Sequence, residues 1–448
     1  MSQDYIHTAP TLRRFAFYWR LTKKCYGYAN IATHHTLGAL FKLAVLAYFI
    51  FCILLLTLRY GVLPNIDRYK SDVEQMASHA IGKPVSIATI YASWKGLRPY
   101  LFLGGVVIHD KNGREALNLP GVAATLSWWS VLVADVRLHT LEISRPDLDI
   151  QRDAQGNLVV AGILIDAKKG DDGKGTDWVL SQREIVIRDG RLHWNDAQRG
   201  APELTLEGVT FVLRNEWQHH KFALRATPPA AFAAPVDVRA AFDHPHFARK
   251  IADFSQWTGE LYADLQNTDL AVWKAYVDYP IEVPQGKGAV RAWLNFNSAK
   301  VDNFKADLQL SNVSTRLRKD LQPLNLAQVN GRLSMREEFD PKRADGTLTF
   351  GGQGHSIALT DFSLQTDDGL ILPPTTISET FIPAKSGQPE KTEIKVKSLD
   401  LHLLADFVER LPLPAAQRRI LVDFSPGGHV KDFSAQWQGS YPYIPSYS

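Results

Sequence analysis

The chain has 448 residues, 45% of them hydrophobic, with 50 Lys and Arg against 47 Asp and Glu. That length can build a large core or an extended body of several units. Six of the basic residues and one acidic residue precede position 59, which leaves the remainder near neutral, at −2. A nucleic-acid-binding surface shows a strongly basic stripe, so no nucleic-acid partner is expected. The two cysteines are Cys25 and Cys52. Residues 59–448 have none, so neither disulfides nor a cysteine-based zinc site holds them together.

Residues 37–58 carry one charge, Lys42, near their start. A spanning helix needs about 20 mostly apolar residues, and this run supplies them. Lys42 can extend its ammonium to the near interface. A buried helix of a soluble domain keeps a polar face, which this run lacks. A cleavable signal peptide has a shorter apolar stretch and a small-x-small cleavage site, and Leu58-Arg59-Tyr60-Gly61-Val62 offers none. A transmembrane signal anchor is therefore predicted over 37–58. Residues 1–36 contain Arg13, Arg14, Arg20, Lys23 and Lys24 against Asp4 alone. Positive charge stays inside, so 1–36 is expected in the cytoplasm and the bulk of the chain in the periplasm of a bacterium, as a single-pass inner-membrane protein.

Beyond the anchor, Pro64 in Val62-Leu63-Pro64-Asn65 should break the helix. Residues 66–81 read as an amphipathic helix capped by Asn65 or Asp67 and stopped by Gly82, lying on the membrane surface or packed on the first strands, with packing favoured. From Pro84 the period changes to two. Strands are expected around Val85, Leu101–Ile108, Val136–Ile143, Leu148–Ile150 and Leu158–Val160, with a bend or bulge at Gly104-Gly105. Asp110–Gly113 signals a hairpin, and Trp128–Ala134 a helical turn. This N-terminal β region covers 59–165. Residues 166–177, charged and Gly-rich, read as a flexible loop.

Residues 178–448 repeat strand after strand, with a phase shift at Gly208, and this repetition predicts a long, mostly antiparallel sheet. Two helical inserts interrupt it, one starting at Thr268-Asp269 and one at Ser398. The surroundings of Asp269-Leu270 and Asp400-Leu401 echo each other weakly, as one structural unit used twice would. The chain ends in a strand from Phe433 with an open edge and reads as truncated there.

No HExxH, P-loop, GxSxG or EF-hand pattern occurs. Gly351–His355 lacks the lysine and helix of a phosphate loop. His219-His220 and His244-Pro-His246 lack a third metal donor and read as turn or surface histidines. The dispersed tryptophans read as packing residues. No catalytic, metal or cofactor site is expected, and no enzyme.

Several motifs follow one another in a recognisable order: Ile81-Gly-Lys-Pro-Val85, Trp94-Lys-Gly-Leu-Arg-Pro99, Leu101-Phe-Leu-Gly-Gly-Val106, Leu141-Glu-Ile-Ser-Arg-Pro146 and Ile187-Arg-Asp-Gly-Arg-Leu-His-Trp194, then Leu411-Pro-Leu-Pro414 with Pro426-Gly-Gly428. With the preceding anchor, this order resembles the AsmA-like family, most closely its YhdP branch. The resemblance implies a mainly β fold: a transmembrane helix, then a long curved antiparallel sheet forming an open groove, with a few short helices. It implies phospholipid acyl chains conducted along that groove from the inner towards the outer membrane, in support of the outer-membrane barrier. A periplasmic or outer-membrane partner protein would receive them. Family chains of this branch are longer, and the C-terminal part that would reach the outer membrane is absent from this sequence. The expected groove lining is Val209, Phe211, Leu213, Phe222, Leu224, Val290, Leu294, Phe296, Leu308 and Leu310. Alternation alone fits equally a non-enzymatic assembly scaffold with a closed β core. The resemblance favours the groove.

Overall fold

The computed structural model describes residues 36–109, 113–128, 130, 136–160, 163–165, 174–245, 256–277, 282–298, 300–317, 321–337, 354–384, 387–411, 415–424 and 426–439. The chain divides into two units, Met1–Arg68 and Tyr69–Ser448. In the first, residues 36–57 form helix α1. The apolar helix that starts at Thr36 is exposed along its apolar stretch and is long and apolar enough to cross a membrane. Pro64 does not end the helical path. The winding changes to a π turn over Leu58–Val62 and a 3-10 segment over Leu63–Tyr69, with Asn65 alone leaving helical dihedrals. Pro64 falls in the first turn of that segment, where a missing N–H costs little. Asn65 is no helix cap; its side chain donates to the Gly61 carbonyl at 3.0 Å.

In the second unit, α2 (Lys70–Ile81) has no side-chain cap and ends at Gly82, whose φ of 76° needs glycine. The helix packs on the first strand. Glu74 accepts from the Ile87 N–H at 2.7 Å, and Ser78 from the Val85 N–H at 2.9 Å.

The strands are β1 (Val85–Lys95), β2 (Arg98–His109), β3 (Glu115–Leu126), β4 (Leu138–Ser144), β5 (Asp147–Arg152), β6 (Leu158–Val160), β7 (Ile163–Ile165), β8 (Glu184–Asp196), β9 (Leu204–Glu216) and β10 (His219–Thr227). They continue as β11 (Val236–Asp243), β12 (Thr258–Asp269), β13 (Glu282–Asn297), β14 (Lys300–Arg316), β15 (Leu324–Glu337), β16 (His355–Thr366), β17 (Ile371–Ile382), β18 (Lys391–Asp400) and β19 (His429–Trp437). All belong to one sheet. Pairing runs from β1 through β4 to β8, then strand by strand to β19. That series is open, and at about 4.8 Å per strand its contour is roughly 70 Å. One exception breaks the antiparallel rule. β4 and β5 act as one interrupted strand parallel to β8, with Leu141 opposite Ile185 and Leu148 opposite Leu192. The returning connection that a parallel pair requires includes the β6–β7 hairpin and helix α3 (Lys174–Ser181). α3 therefore begins inside the stretch that reads as loop, and Trp178 fixes it by donating to the Val136 carbonyl at 3.0 Å.

The curvature of the sheet has a backbone cause. Asp189, Asn267, Asn312, Asp361 and Asp432 lie within strands at φ between 47° and 53°, and Gly208 has φ 56°. Asp, Asn and Gly tolerate this left-handed region best. Asp189, Asn267 and Asp361 sit inside register shifts at Ile187/Gly190, Leu265/Thr268 and Leu359/Phe362. Such bulges bend a strand and increase its twist. Gly105, at φ 59°, bends β2 without a slip, since Gly104 still faces Thr89 and Val106 still faces Ile87.

Both expected helical inserts form. Asp269 caps α4 (Leu270–Trp273), accepting from the Ala271 and Val272 N–H groups at 3.1 and 3.4 Å. Asp400 caps α5 (Leu401–Phe407), accepting from the His402 N–H at 2.9 Å, so that Ser398 stays in β18. Each capping aspartate also meets a basic partner on the next strand: Lys287 at 3.5 Å and His429 at 3.4 Å. The weak sequence echo is thus a shared device of cap, short helix and charge-paired strand. A further helix, α6 (Ala415–Phe424), has no counterpart in the sequence reading. The turn at 110–112, most of 128–134 and residues 166–173 lie outside the described residues, as do 338–353, where a strand is expected at 348–350 from the sequence.

Candidate functional site

Direct register partners stand on the same face of a sheet. One file of partners crosses the whole pairing series: Ile90, Leu103, Val122, Ile143, Ile187, Phe211, Leu224, Val238, Ala263, Ala292, Ala306, Leu333, Leu359, Ile377, Val396 and Phe433. Every member is apolar. The neighbouring file on the same face runs from Ala92 and Leu101 through Leu141, Leu213, Phe222, Leu261, Leu294, Phe304, Met335 and Ile357 to Glu379, Ile394 and Ala435. Glu379 is its one ionisable residue.

The chain covers this band at its margins. Leu403 and Phe407 of α5 join Val283, Val313, Leu324, Leu326 and Val329 in a buried cluster at one end of β13–β15. Near β8–β12, Leu180, Ile185, Leu213, Ala240, Phe242 and Trp257 form another, and Val209, Ala226, Ala233 and Val236 a third. Between these margins Val238, Ala263, Leu294, Leu333 and Leu359 stay partly exposed. Since all described strands belong to one sheet, no second sheet lies over them.

The opposite face carries paired charges on β4, β8–β11, β14 and β15. Glu142 pairs with Arg188 at 2.6 Å, Glu184 with Arg214 at 2.8 Å, Asp237 with Arg239 and Arg225 at 2.8 and 3.1 Å, and Asp307 with Arg332 at 2.6 Å. The Arg239 hydrogen bond holds the Asp237 carboxyl below its usual range, and Arg332 does the same for Asp307. Pairs this exposed contribute little stability individually. Their evident effect is to keep this face in water.

All ten residues expected to line a groove stand on the apolar face. Val209 and Leu213 are fully buried there, while Leu310 packs against the α5 cluster. Phe211, Phe222, Leu224 and Phe296 flank the other two clusters, and Val290, Leu294 and Leu308 are half-buried. The expectation omitted β2–β4 and β15–β19. On β16, Leu359 and Leu364 both reach this face although they are five residues apart, because the slip at Leu359/Phe362 lies between them, and counting by two through the sequence misses such a change of phase.

The histidine pair also needs correction. His220 is no surface residue: it is 1% exposed, stacks on Trp257 at 5.4 Å, and hydrogen-bonds Asn215 at 2.6 Å through Nδ1. Trp217, by contrast, is 97% exposed at the preceding turn and packs on nothing large. Burial first, then the neighbouring His244, pushes the His220 pKa down to about 4. The unfolded chain thus takes a proton before the folded one. Stability should be full above about pH 6.5 and should fall between there and pH 4, by roughly 3 kcal/mol. Denaturant titrations at stepped pH should show this slope, and His220→Phe should lose it. Among the described residues no group of three His, Cys, Asp or Glu is placed to hold a metal ion.

No curated protein matches the chain. The family model described as YhdP protein matches residues 32–448, which takes in the apolar helix and every strand that carries the band. By that match the chain belongs to the YhdP family.

Proposed function

We propose that this chain is a periplasmic protein anchored in the inner membrane that binds phospholipid acyl chains on its apolar band and conducts them towards the outer membrane, supporting the outer-membrane barrier. The observation that carries this reading is the uninterrupted apolar file over sixteen strands, uncovered by a second sheet. Each methylene taken from water contributes about 0.8 kcal/mol. Successive strands offer nearly the same contact, so an acyl chain can pass between them without crossing a deep well. The polar face keeps the sheet soluble and orients it. The role is non-catalytic.

Mass spectrometry of residues 59–448 purified without detergent tests the reading. Phospholipid should co-purify, and photo-crosslinkers at Phe211, Leu224 and Leu294 should capture it. Crosslinks to protein alone, with no lipid bound, would replace this reading with that of an assembly scaffold.

A further inference from the structure

Two polar groups at the β16–β19 end of this face are left short of partners, and they are complementary: Glu379 has His355 alone beside it, and the Trp437 indole N–H has no hydrogen-bond partner. Glu379 interrupts an otherwise apolar file, between Ile357 on β16 and Ile394 on β18. Both its carboxylate oxygens are shielded from water and neither has a hydrogen-bond partner, although Oε2 lies 3.2 Å from Nε2 of His355. Burial pushes this carboxyl up, and His355 pulls it part of the way back. Trp437 ends β19 on the same face, one step past Ala435, which stands in the Glu379 file. Its indole N–H is also buried without a partner. Two strands and one in-face step separate the two residues, roughly 12 Å between Cα atoms.

A buried acceptor needs a donor and a buried donor needs an acceptor; leaving either unmade is costly. Glu379 and Trp437 cannot serve each other across that gap unaided. One amphiphile can serve both if it carries a cation and an anionic oxygen on a single short headgroup. An ammonium would meet Glu379 in a charge-assisted bond, and a phosphate oxygen would accept from Trp437. His355 stands beside Glu379, with Glu337 as its register partner on β15.

We propose that Glu379 and Trp437 form a headgroup-selective station, at the β16–β19 end of the band, for zwitterionic phospholipids bearing an ammonium next to a phosphate. This rests on the lipid-binding reading above. An anionic phospholipid with a glycerol headgroup supplies the phosphate but no cation, and so should bind less well here.

The test uses the full chain in detergent, equilibrated with equimolar phosphatidylethanolamine and phosphatidylglycerol, then washed and its retained lipid quantified by mass spectrometry. The wild type should retain the ethanolamine lipid in about tenfold excess. Glu379→Gln, close in shape, and Trp437→Phe should each bring that ratio towards one, and Glu379→Asp should recover part of it. A structural role alone would change the total and leave the ratio. Retained lipid whose headgroup ratio is the same in wild type and variants overturns the station and leaves the lipid-binding reading intact. A wild type that retains no lipid overturns both.

Discussion

Leu294→Asp and Leu333→Asp are each expected to cut the phospholipid retained by the protein at least tenfold while leaving it folded. Both side chains stand in the apolar files on β13 and β15, and both are partly exposed, so the new carboxylate can reach water in the empty protein. A bound acyl chain would have to cover it. Burying an unpaired carboxylate costs several kcal/mol or more, the equivalent of several methylene contacts at about 0.8 kcal/mol each. Glu379 is no counterexample, because the His355 Nε2 lies 3.2 Å from its carboxylate, whereas Leu294 faces only Leu261 and Phe304 in register. Lys305→Asp is the control: Lys305 is exposed on the polar face opposite Trp293, and its reversal should not change retention. Lipid-to-protein ratios by mass spectrometry, with circular dichroism for the fold, decide this. Retention unchanged in both band variants would mean that lipid does not lie on this face.

Gly288→Val is expected to be the most damaging single change in the sheet. Gly288 has φ +151°, and a Cβ there would lie 2.1 Å from the Gln309 carbonyl oxygen and 2.8 Å from the Leu310 Cα. Both are backbone atoms of the paired strand, so no side-chain rotation relieves the overlap. β13 and β14 would have to separate at the place where Gly288 faces Leu310. The cost should be on the order of 3 kcal/mol or more, read as a lowered denaturant midpoint. Gly82→Ala provides the comparison. Its φ is +76° with nothing within 4 Å of the added Cβ, so only the conformational cost of about 1 kcal/mol remains. Equal effects of the two substitutions would contradict the register described here.

The alternation of apolar and polar residues was readable wherever strands ran without a bulge. Phe211 with Leu213 and Phe222 with Leu224 were assigned to one face by counting in twos, and the register agrees. The cap of the first insert, Asp269, is readable, because a short acceptor before an apolar helical repeat has few other uses; the second helix starts at Asp400, two residues past the Ser398 start expected from the sequence. α3 and α6 are not readable. The Lys174–Ser181 segment opens in a polar stretch, and α6 leaves Ile420, Val422 and Phe424 exposed, so no buried apolar face marks it in the sequence. Helices this short depend on tertiary contacts.

Residue order alone determined that the chain carries one apolar helix of membrane length and then a body of β-strands, since both follow from local hydrophobicity and its period. Which half-buried residues form one continuous file was decided only in three dimensions. The left-handed Asp189, Asn267 and Asp361 each stand where the register slips, which changes the side that their successors face. The parallel match of β4 and β5 to β8, and the approach of Glu379 to His355, likewise depend on pairing across long sequence separations, which no local pattern encodes.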